Sequence, residues 1–363
     1  DRPLEALPSD MDLQERGRAG RGLTRPELAV LLSYAKIALQ HDLLESPVPD
    51  EPGLEPWLSG YFPAALQARF GPEVEKHSLR REIIALGLTN AIVNRGGPAM
   101  AARLAEETQR SSADVAHAFL AARQVFELPA LWQRIDALDG KAKGAAQLAL
   151  YQVIQSLVNA QTLWFLRNGS AIADLEGTIA RHRAGVAALK GALASVLTAR
   201  RQALLAAEAA RLSGAGIPGQ LSLDVAALEL LGFAPSITEI AEETKAPVAD
   251  VGRTYLAIGE HLNISKLASK AAGVATPDYY DRLAVAQALN KLAAAQVAFT
   301  RSAIRSAQVG AEAWLAVQGD RFARVRTMLA EIAGEGPLTV ARLLVAAGQL
   351  SDLMEAKPVA PAA

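Results

Sequence analysis

The sequence contains no cysteine among its 363 residues, and only 5% of its residues are aromatic. The lack of cysteine excludes a disulfide framework, a thiolate metal site, an iron–sulfur cluster and a cysteine nucleophile. It fits a cytoplasmic protein best, because disulfides are characteristic of oxidising compartments. The sequence also has no excess of positive charge, since it contains 37 basic and 38 acidic residues. This balance is not typical of a dedicated nucleic-acid-binding protein.

Long apolar runs are missing as well. The stretch 144–166 contains no charged residue, but amide side chains interrupt it, and these are costly to place in hydrocarbon. Gln152, Gln155, Asn159 and Thr162 recur at helical spacing, which marks the polar side of a soluble helix. The sequence therefore predicts no membrane span. It shows no signal peptide either, and the initial Asp1 suggests a piece of a longer protein.

Helix-forming apolar residues are abundant. Hydrophobic residues make up 51% of the chain and are mostly Ala, Leu and Val. Ala and Leu favour helices, and no sustained alternation of apolar and polar residues bounded by hairpin turns indicates strands. The sequence predicts an all-α, multi-helix bundle, and its length predicts two or three domains.

Several helix ends can be predicted from local signals. Thr24 and Glu27 form a capping box, and a proline-rich stretch at 46–53 ends the helix that follows. Six apolar residues recur along that helix at helical spacing, and we call them the leucine stripe: Leu28, Leu31, Leu32, Ala35, Leu39 and Leu43. Further helices are predicted over 61–70 and 74–94, with Gly-Gly-Pro at 96–98 closing the second, and near 338–349.

An internal repeat organises the middle of the chain. Leu104-Ala-Glu-Glu-Thr108 and Ile240-Ala-Glu-Glu-Thr244 are followed by matching residues at a constant offset, and a matching apolar seam comes after them. Chance similarity between Ala-rich helices is the alternative, but the pattern favours an internal duplication with copies near 80–168 and 222–303. The predicted organisation is a flexible linker over 1–22, a first bundle over 23–213, a second, repeat-related bundle over 220–350 and a disordered tail over 351–363. The domain boundary is placed near 214–220.

Two segments have the proportions of ligand-binding motifs. Gly214-Ala-Gly-Ile-Pro-Gly219 has the spacing of a dinucleotide fingerprint, but helix formers rather than a strand precede it. A helix end and a flexible connector are therefore favoured over a nucleotide site. The segment 237–262 has helix-turn-helix proportions. It offers only Lys245 and Arg253 as cations against five acidic residues, which favours a packing unit over a DNA reader.

The remaining polar clusters do not form a catalytic pattern. Arg16, Arg18, Arg21 and Arg25 could contact phosphate or an acidic neighbour, but no aromatic residue lies among them and a solvated linker is favoured. Glu106 with Glu107 and Glu242 with Glu243 are neighbours that cannot face each other on a helix, so a structural role is favoured over an acid/base pair. No metal-ligand spacing relates the histidines His41, His77, His117, His182 and His261. We predict no catalytic, cofactor-binding or metal residue in this chain.

Long, unusual runs of residues resemble the large bacterial NAD-specific glutamate dehydrogenases. The runs lie at 23–36, 61–63, 79–84, 89–98 and 121–132, so the specific similarity covers 23–168, and it is looser from about 175 onwards. In that family these motifs belong to the C-terminal region, and the dehydrogenase core with its NAD site and catalytic lysines lies upstream. Nothing here aligns to that core, so the resemblance transfers no catalytic or cofactor residue.

The resemblance implies a parent enzyme that converts L-glutamate, NAD and water to 2-oxoglutarate, ammonium and NADH. We expect this chain to be its non-catalytic helical C-terminal domain, inactive alone and binding no cofactor. Its expected partners are the remaining domains of the parent, within a homo-oligomer, and neither nucleic acid nor a membrane. One apolar or mixed patch should remain exposed where those domains dock. An independent helical adaptor or regulatory module is the alternative, and a small nucleotide enzyme using Gly214–Gly219 is a third possibility.

Overall fold

The computed structural model describes residues 7–169, 173–306, 310–334 and 336–355. This part of the chain contains 19 α-helices, one short 3-10 turn and no strand. The prediction of an all-α, multi-helix fold is therefore confirmed. By its contacts the chain divides into two compact units, residues 1–179 and 180–363.

The helices of the first half, together with the one that spans the division, are α1 (Asp10–Arg18), α2 (Arg25–Leu44), α3 (Glu55–Ser59), α4 (Ala64–Glu75), α5 (Arg80–Gly96), α6 (Met100–Thr108), α7 (Ser112–Val125), α8 (Leu128–Asp136), α9 (Gly144–Asn168) and α10 (Leu175–Val196). The 3-10 turn covers Val48–Asp50. The remaining helices are α11 (Ala199–Gly214), α12 (Gly219–Leu231), α13 (Ala234–Thr244), α14 (Val248–His261), α15 (Ile264–Ala271), α16 (Tyr279–Arg305), α17 (Ala311–Ala316), α18 (Gly319–Ala333) and α19 (Val340–Glu355).

Helix α2 begins and ends where its local signals predict. The Thr24 hydroxyl accepts from the backbone N–H of Glu27, the Glu27 carboxylate accepts from that of Thr24, and the helix ends at Leu44 before the prolines. Only the second half of the leucine stripe is buried, however. Leu39 and Leu43 pack into the first unit, whereas Leu28 on the same side of the helix is 51% exposed.

The predicted flexible linker over 1–22 contains a helix, α1. Ser9 and Asp12 form a capping box at its start, a signal of the same kind as the one at Thr24. At its other end the Arg16 guanidinium makes two hydrogen bonds of 3.0 and 2.8 Å to the Glu27 carboxylate. These contacts order a segment whose composition alone indicates a linker. Residues 1–6 lie outside the described residues.

Two other helices begin at different residues from those predicted. The helix predicted over 61–70 is α4, which starts at Ala64 because Pro63 occupies its N-cap, and it bends at Phe70. The helix predicted over 74–94 is interrupted. Residues 76–79 form a turn in which the backbone N–H of Leu79 donates to His77 Nδ1 over 3.1 Å. The end of α5 agrees with the prediction, since Gly97 follows it with a φ of 105°.

The core of the first unit lies where α5, α7 and α9 pack against one another. Phe119 on α7 and Phe165 on α9 are completely buried there, with Ile84, Leu88 and Ile92 of α5. Helix α9 contains the uncharged stretch 144–166. Its polar side is exposed at Gln152 and Gln155 and becomes buried at Thr162.

The second unit is organised around α16. This helix packs against α13, α14, α15 and α19. Phe299 of α16 and Trp314 of α17 both contact Phe322 of α18, with ring centroids 5.5 and 5.8 Å apart and edge-to-face orientations. Such edge-to-face pairs are a favoured arrangement of aromatic rings in protein cores.

Four helices of each unit have matching boundaries and matching contacts. Helix α7 packs against α6, α8 and α9, and α14 packs against α13, α15 and α16. Of the described residues other than glycine, four have positive φ, and they form two pairs at the same separation along the chain: Gln109 with Lys245, and Glu127 with Asn263. These features support the predicted duplication near 80–168 and 222–303, which stays a prediction.

The division into units differs from the predicted domain boundary. It lies inside α10, upstream of the connector at 214–220. The helices that flank this connector, α11 and α12, pack against each other, so the glycines join neighbouring helices of one unit. Helix α19 extends to Glu355, so residues 351–355 of the predicted tail are helical. Residues 356–363 of that tail lie outside the described residues.

Across the described ranges, no single helix is long and apolar enough to cross a membrane. Helices α12 and α13 meet that criterion only as a pair, and they are bent by 55° relative to each other. Both have buried apolar faces, with Val225, Leu228, Ile237 and Ile240 among the buried residues.

Candidate functional site

The paired glutamates join short helices to long ones. Arg167 at the end of α9 donates to Glu107 at the end of α6 over 2.7 Å. Arg301 near the end of α16 donates to Glu243 at the end of α13 over 2.6 Å. We call these two ion pairs the Glu–Arg tethers. Since each connects residues about sixty positions apart in sequence, they fix tertiary rather than helical structure.

Further arginines extend both tethers. Glu107 also accepts from Arg103 on its own helix over 3.4 Å, and Glu243 also accepts from Arg305 over 2.5 Å. The neighbouring glutamates point elsewhere. Glu106 is exposed, and Glu242 lies 3.6 Å from Arg181. The arrangement therefore positions these carboxylates against arginine side chains.

The threonine that follows each glutamate pair ends its helix. The Thr108 hydroxyl donates to the carbonyl oxygen of Leu104 over 2.7 Å, and that of Thr244 donates to Ile240 over 2.6 Å. The next residues, Gln109 and Lys245, adopt the left-handed conformation, which commonly closes a helix. The Glu-Glu-Thr motif is thus both a helix end and a tether.

A polar contact in the second unit was not predicted from the sequence. Gln296 on α16 is buried, and its amide donates to the carbonyl oxygen of Tyr255 on α14 over 2.9 Å. Gly259, one turn further along α14, leaves the space that the Gln296 side chain occupies. Burial also raises the pKa of Tyr255, so its phenol remains neutral.

The histidines are spread over both units. Nε2 of His117 lies 2.7 Å from a Glu51 oxygen. His182 is completely buried on α10, and Nη2 of Arg181 donates to its Nε2 over 2.9 Å. Burial, assisted by the Arg181 charge, lowers the pKa of His182 to about 4. No group of three potential ligands that could hold a metal ion occurs among the described side chains.

Two arginines of the first unit stack on aromatic rings. The Arg123 guanidinium lies 4.7 Å from the ring centre of Trp57. Burial lowers the pKa of Arg123. The Arg95 guanidinium lies 4.8 Å from the Trp132 ring and 5.4 Å from the Tyr151 ring. Cation–π contacts of this kind stabilise packing between helices.

The glycine-rich connector is preceded by a helix, not by a strand. Gly214 is the last residue of α11, and Gly219 is the first of α12. A Cβ added to Gly214, Gly216 or Gly219 would meet no atom within 4 Å. Close packing against a neighbouring group therefore does not explain the glycines at these positions. Gly216 has a φ of 90°, a backbone conformation that favours glycine. The connector lacks the strand–turn–helix geometry that places a glycine-rich loop against the pyrophosphate of a dinucleotide.

The helix-turn-helix segment consists of α13, a turn at 245–247 and α14. Arg253, one of its two cations, is paired with Asp250 at 3.0 Å. Val251, Tyr255 and Ile258 bury one side of α14 in the second unit. This segment therefore packs in the second unit through one side of α14.

The N-terminal arginines differ from one another in their surroundings. Arg16 binds Glu27, and this hydrogen bond together with the capping contact to Thr24 lowers the pKa of Glu27 to about 2. Arg18, Arg21 and Arg25 are exposed. The cluster thus contains one structural arginine, which the sequence did not distinguish from the others.

The fold and its contacts define a helical protein whose polar groups connect helices to one another. A family model described as "Glutamate dehydrogenase, C-terminal" matches residues 20–352. The chain belongs to this family.

Proteins named NAD-specific glutamate dehydrogenase are similar over almost the whole chain. The protein of Pseudomonas aeruginosa is 34% identical over an alignment of 363 positions that covers 98% of this chain. That of Halomonas elongata is 31% identical over 361 residues, and that of Mycobacterium tuberculosis is 30% identical over 356 residues, covering 98% and 96% of this chain. The chain spans only 22% of the length of each of these relatives.

Proposed function

We propose that the chain is a non-catalytic structural domain of a large NAD-dependent glutamate dehydrogenase. It packs against the remaining domains and supports the assembly of a homo-oligomer or its regulation. The parent enzyme converts L-glutamate, NAD and water to 2-oxoglutarate, ammonium and NADH. The cytoplasmic location predicted from the lack of cysteine belongs to the same proposal.

The observation that carries this proposal is the use of the charged side chains. The Glu–Arg tethers and the Arg16–Glu27 pair all join one helix to another. A catalytic site instead gathers titratable groups around a position that a substrate can reach. The relatives' much greater length supports the proposal too, because it leaves room for the reaction elsewhere in the polypeptide.

An activity assay of three proteins tests the proposal. They are the full-length parent, the parent lacking these 363 residues, and the isolated chain, each supplied with L-glutamate and NAD. We expect turnover by the full-length enzyme and none by the isolated chain. We also expect the truncated parent to lose activity or its native oligomeric state, and to regain it when the folded chain is added. Turnover by the isolated chain, or a fully active and assembled truncated parent, would contradict the proposal.

A further inference from the structure

The first half of α2 presents an apolar surface that the described residues of the first unit do not cover. Leu28, Leu31 and Leu32 are 51%, 42% and 37% exposed, whereas Leu39 and Leu43, further along the same stripe, are 4% and 0% exposed. A surface helix of a self-contained protein normally turns its apolar stripe into the core along its whole length. Here only the C-terminal half of the leucine stripe is buried, and its N-terminal half is exposed to solvent.

The exposed half also lacks charge. No charged residue occurs from Leu28 to Ala35, although this half of the helix is accessible around much of its circumference. Charged residues are depleted at the buried centre of protein interfaces, where they would lose their hydration. The composition therefore resembles an interface more than a solvated surface.

The exposed half of α2 is already helical in this chain, and its first turn is capped. The Thr24–Glu27 capping box fixes its first turn, and Arg16 of α1 holds Glu27 through two hydrogen bonds. A preformed helix loses little conformational entropy on docking. An apolar helix face that fits a groove is a common mode of recognition.

We propose that the surface formed by Leu28, Leu31 and Leu32 docks into an apolar groove of the remaining polypeptide of the parent dehydrogenase. This inference rests on the proposed function. The relatives are more than four times as long as this chain, since it spans 22% of each. A C-terminal domain joins its parent at the N-terminal side, and α2 lies near the start of the region that the family model matches.

The area of the surface favours this occupant over a second copy of the chain. Three partly exposed leucine side chains offer far less than the roughly 800 Å² per partner that a stable, specific interface buries. In the parent these leucines need to supply only part of the contact, because the proposed function packs other surfaces of this chain against the remaining domains as well. The docked state should therefore form within the parent and not between isolated chains.

Hydrogen exchange tests the proposal directly. The isolated chain and the full-length parent are compared by mass spectrometry for the amides of residues 25–37. We expect these amides to exchange at least about tenfold more slowly in the parent, because docking suppresses fraying of the exposed helix. Equal exchange in both proteins would overturn the proposal. Slow exchange in the isolated chain that depends on its concentration would indicate a second copy instead, and would also overturn it.

A binding experiment in trans separates this inference from the proposed function. The truncated parent is titrated with the wild-type chain, with Leu28→Asp/Leu32→Asp, and with a control carrying Leu204→Asp/Leu223→Asp at two other exposed leucines. We expect the first double variant to weaken binding at least about tenfold and the control to bind like wild type. Equal melting curves by circular dichroism would show that both variants are folded. If both variants bind like wild type, the docking surface is wrong while the proposed function stands. If the wild-type chain does not bind, the proposed function fails.

Discussion

At the scale of single residues, the Glu–Arg tethers carry charges whose removal can be measured. Glu107 is mostly buried and hydrogen-bonded to Arg167, whereas Glu106 beside it is exposed. We predict that Glu107→Gln lowers the free energy of unfolding by about 1 kcal/mol. Glu106→Gln should change it by less than about 0.5 kcal/mol. Urea denaturation of both variants tests this.

A double-mutant cycle with Arg167→Gln assigns the effect to the tether. The two single substitutions should be non-additive, because each removes the same ion pair. If their effects simply add, Glu107 stabilises the unit through some other contact. The same comparison can be made with Glu243 and Arg301.

His182 predicts a specific pH dependence. Its pKa of about 4 in the folded chain lies below the value near 6.5 of an unfolded histidine, so the unfolded state binds the proton more strongly. The contribution of neutral His182 to stability is therefore complete above about pH 6.5 and is lost as the pH falls towards 4. We predict a loss of about 2–3 kcal/mol between pH 7.5 and pH 4.5 from this group.

Urea denaturation of wild type and His182→Gln at both pH values isolates that contribution. The variant should lose about 2–3 kcal/mol less stability than wild type over this interval, whatever its stability at pH 7.5. An identical pH dependence in both proteins would show that His182 is accessible to protons in the folded chain.

At the scale of the helix, two glycines of α10 have opposite surroundings. A Cβ on Gly185 would come within 2.9 Å of the Thr238 Cβ on α13, whereas one on Gly191 would meet nothing within 4 Å. Alanine favours a helix over glycine by about 0.8–1 kcal/mol, so Gly191→Ala should stabilise the chain by about that amount.

Gly185→Ala should have the opposite sign. The close approach of α10 and α13 at Thr238 leaves no room for the methyl group, and overpacking costs about 1–3 kcal/mol. Thermal unfolding of both variants measures the contrast. Stabilisation by both substitutions would mean that α10 and α13 do not approach each other as closely as described.

The two halves of α2 differ in the same way. Leu43 is completely buried and Leu28 is 51% exposed. We predict that Leu43→Ala destabilises the isolated chain by about 2–5 kcal/mol, while Leu28→Ala changes its stability by less than about 0.5 kcal/mol. Urea denaturation of the isolated chain provides the measurement. A large effect at Leu28 would indicate that the first half of α2 is packed within the chain, which would also remove its availability as a docking surface.

At the scale of the whole molecule, the absence of predicted cofactor residues has a measurable consequence. A ligand that binds the folded chain raises its melting temperature according to its concentration relative to Kd. We predict that about 1 mM NAD, alone or with L-glutamate, leaves the melting temperature of the isolated chain unchanged within error. A rise with NAD that Gly216→Ala abolishes would instead establish a nucleotide site in the connector.

Local signals made the helix ends predictable to different degrees. Thr24 and Gly97 were identified because a capping box and a glycine with positive φ act within a few residues. The box at Ser9 uses the same chemistry, but the surrounding glycines and arginines favoured a linker. The turn at 76–79 has no proline or glycine to announce it, so the periodicity on either side predicted one continuous helix.

The polar contacts could not be predicted in the same way. Glu107 and Arg167, or Gln296 and Tyr255, lie far apart in sequence, and nothing in either short segment identifies its partner. Nor could the sequence separate Arg16 from the other arginines near it. A repeated motif was visible, and its structural role was inferred, but the partner that explains it appears only when the long helices are in place.

The sequence by itself determined that this protein is helical, because helix propensity and apolar periodicity act over a few residues. It also carried the resemblance to the glutamate dehydrogenase family that the matched family model bears out. Only the tertiary structure decided which carboxylates pair across helices and which half of the leucine stripe is buried. The physical reason is that an apolar side chain has the same local propensity whether or not a partner covers it, so exposure depends on how distant segments pack.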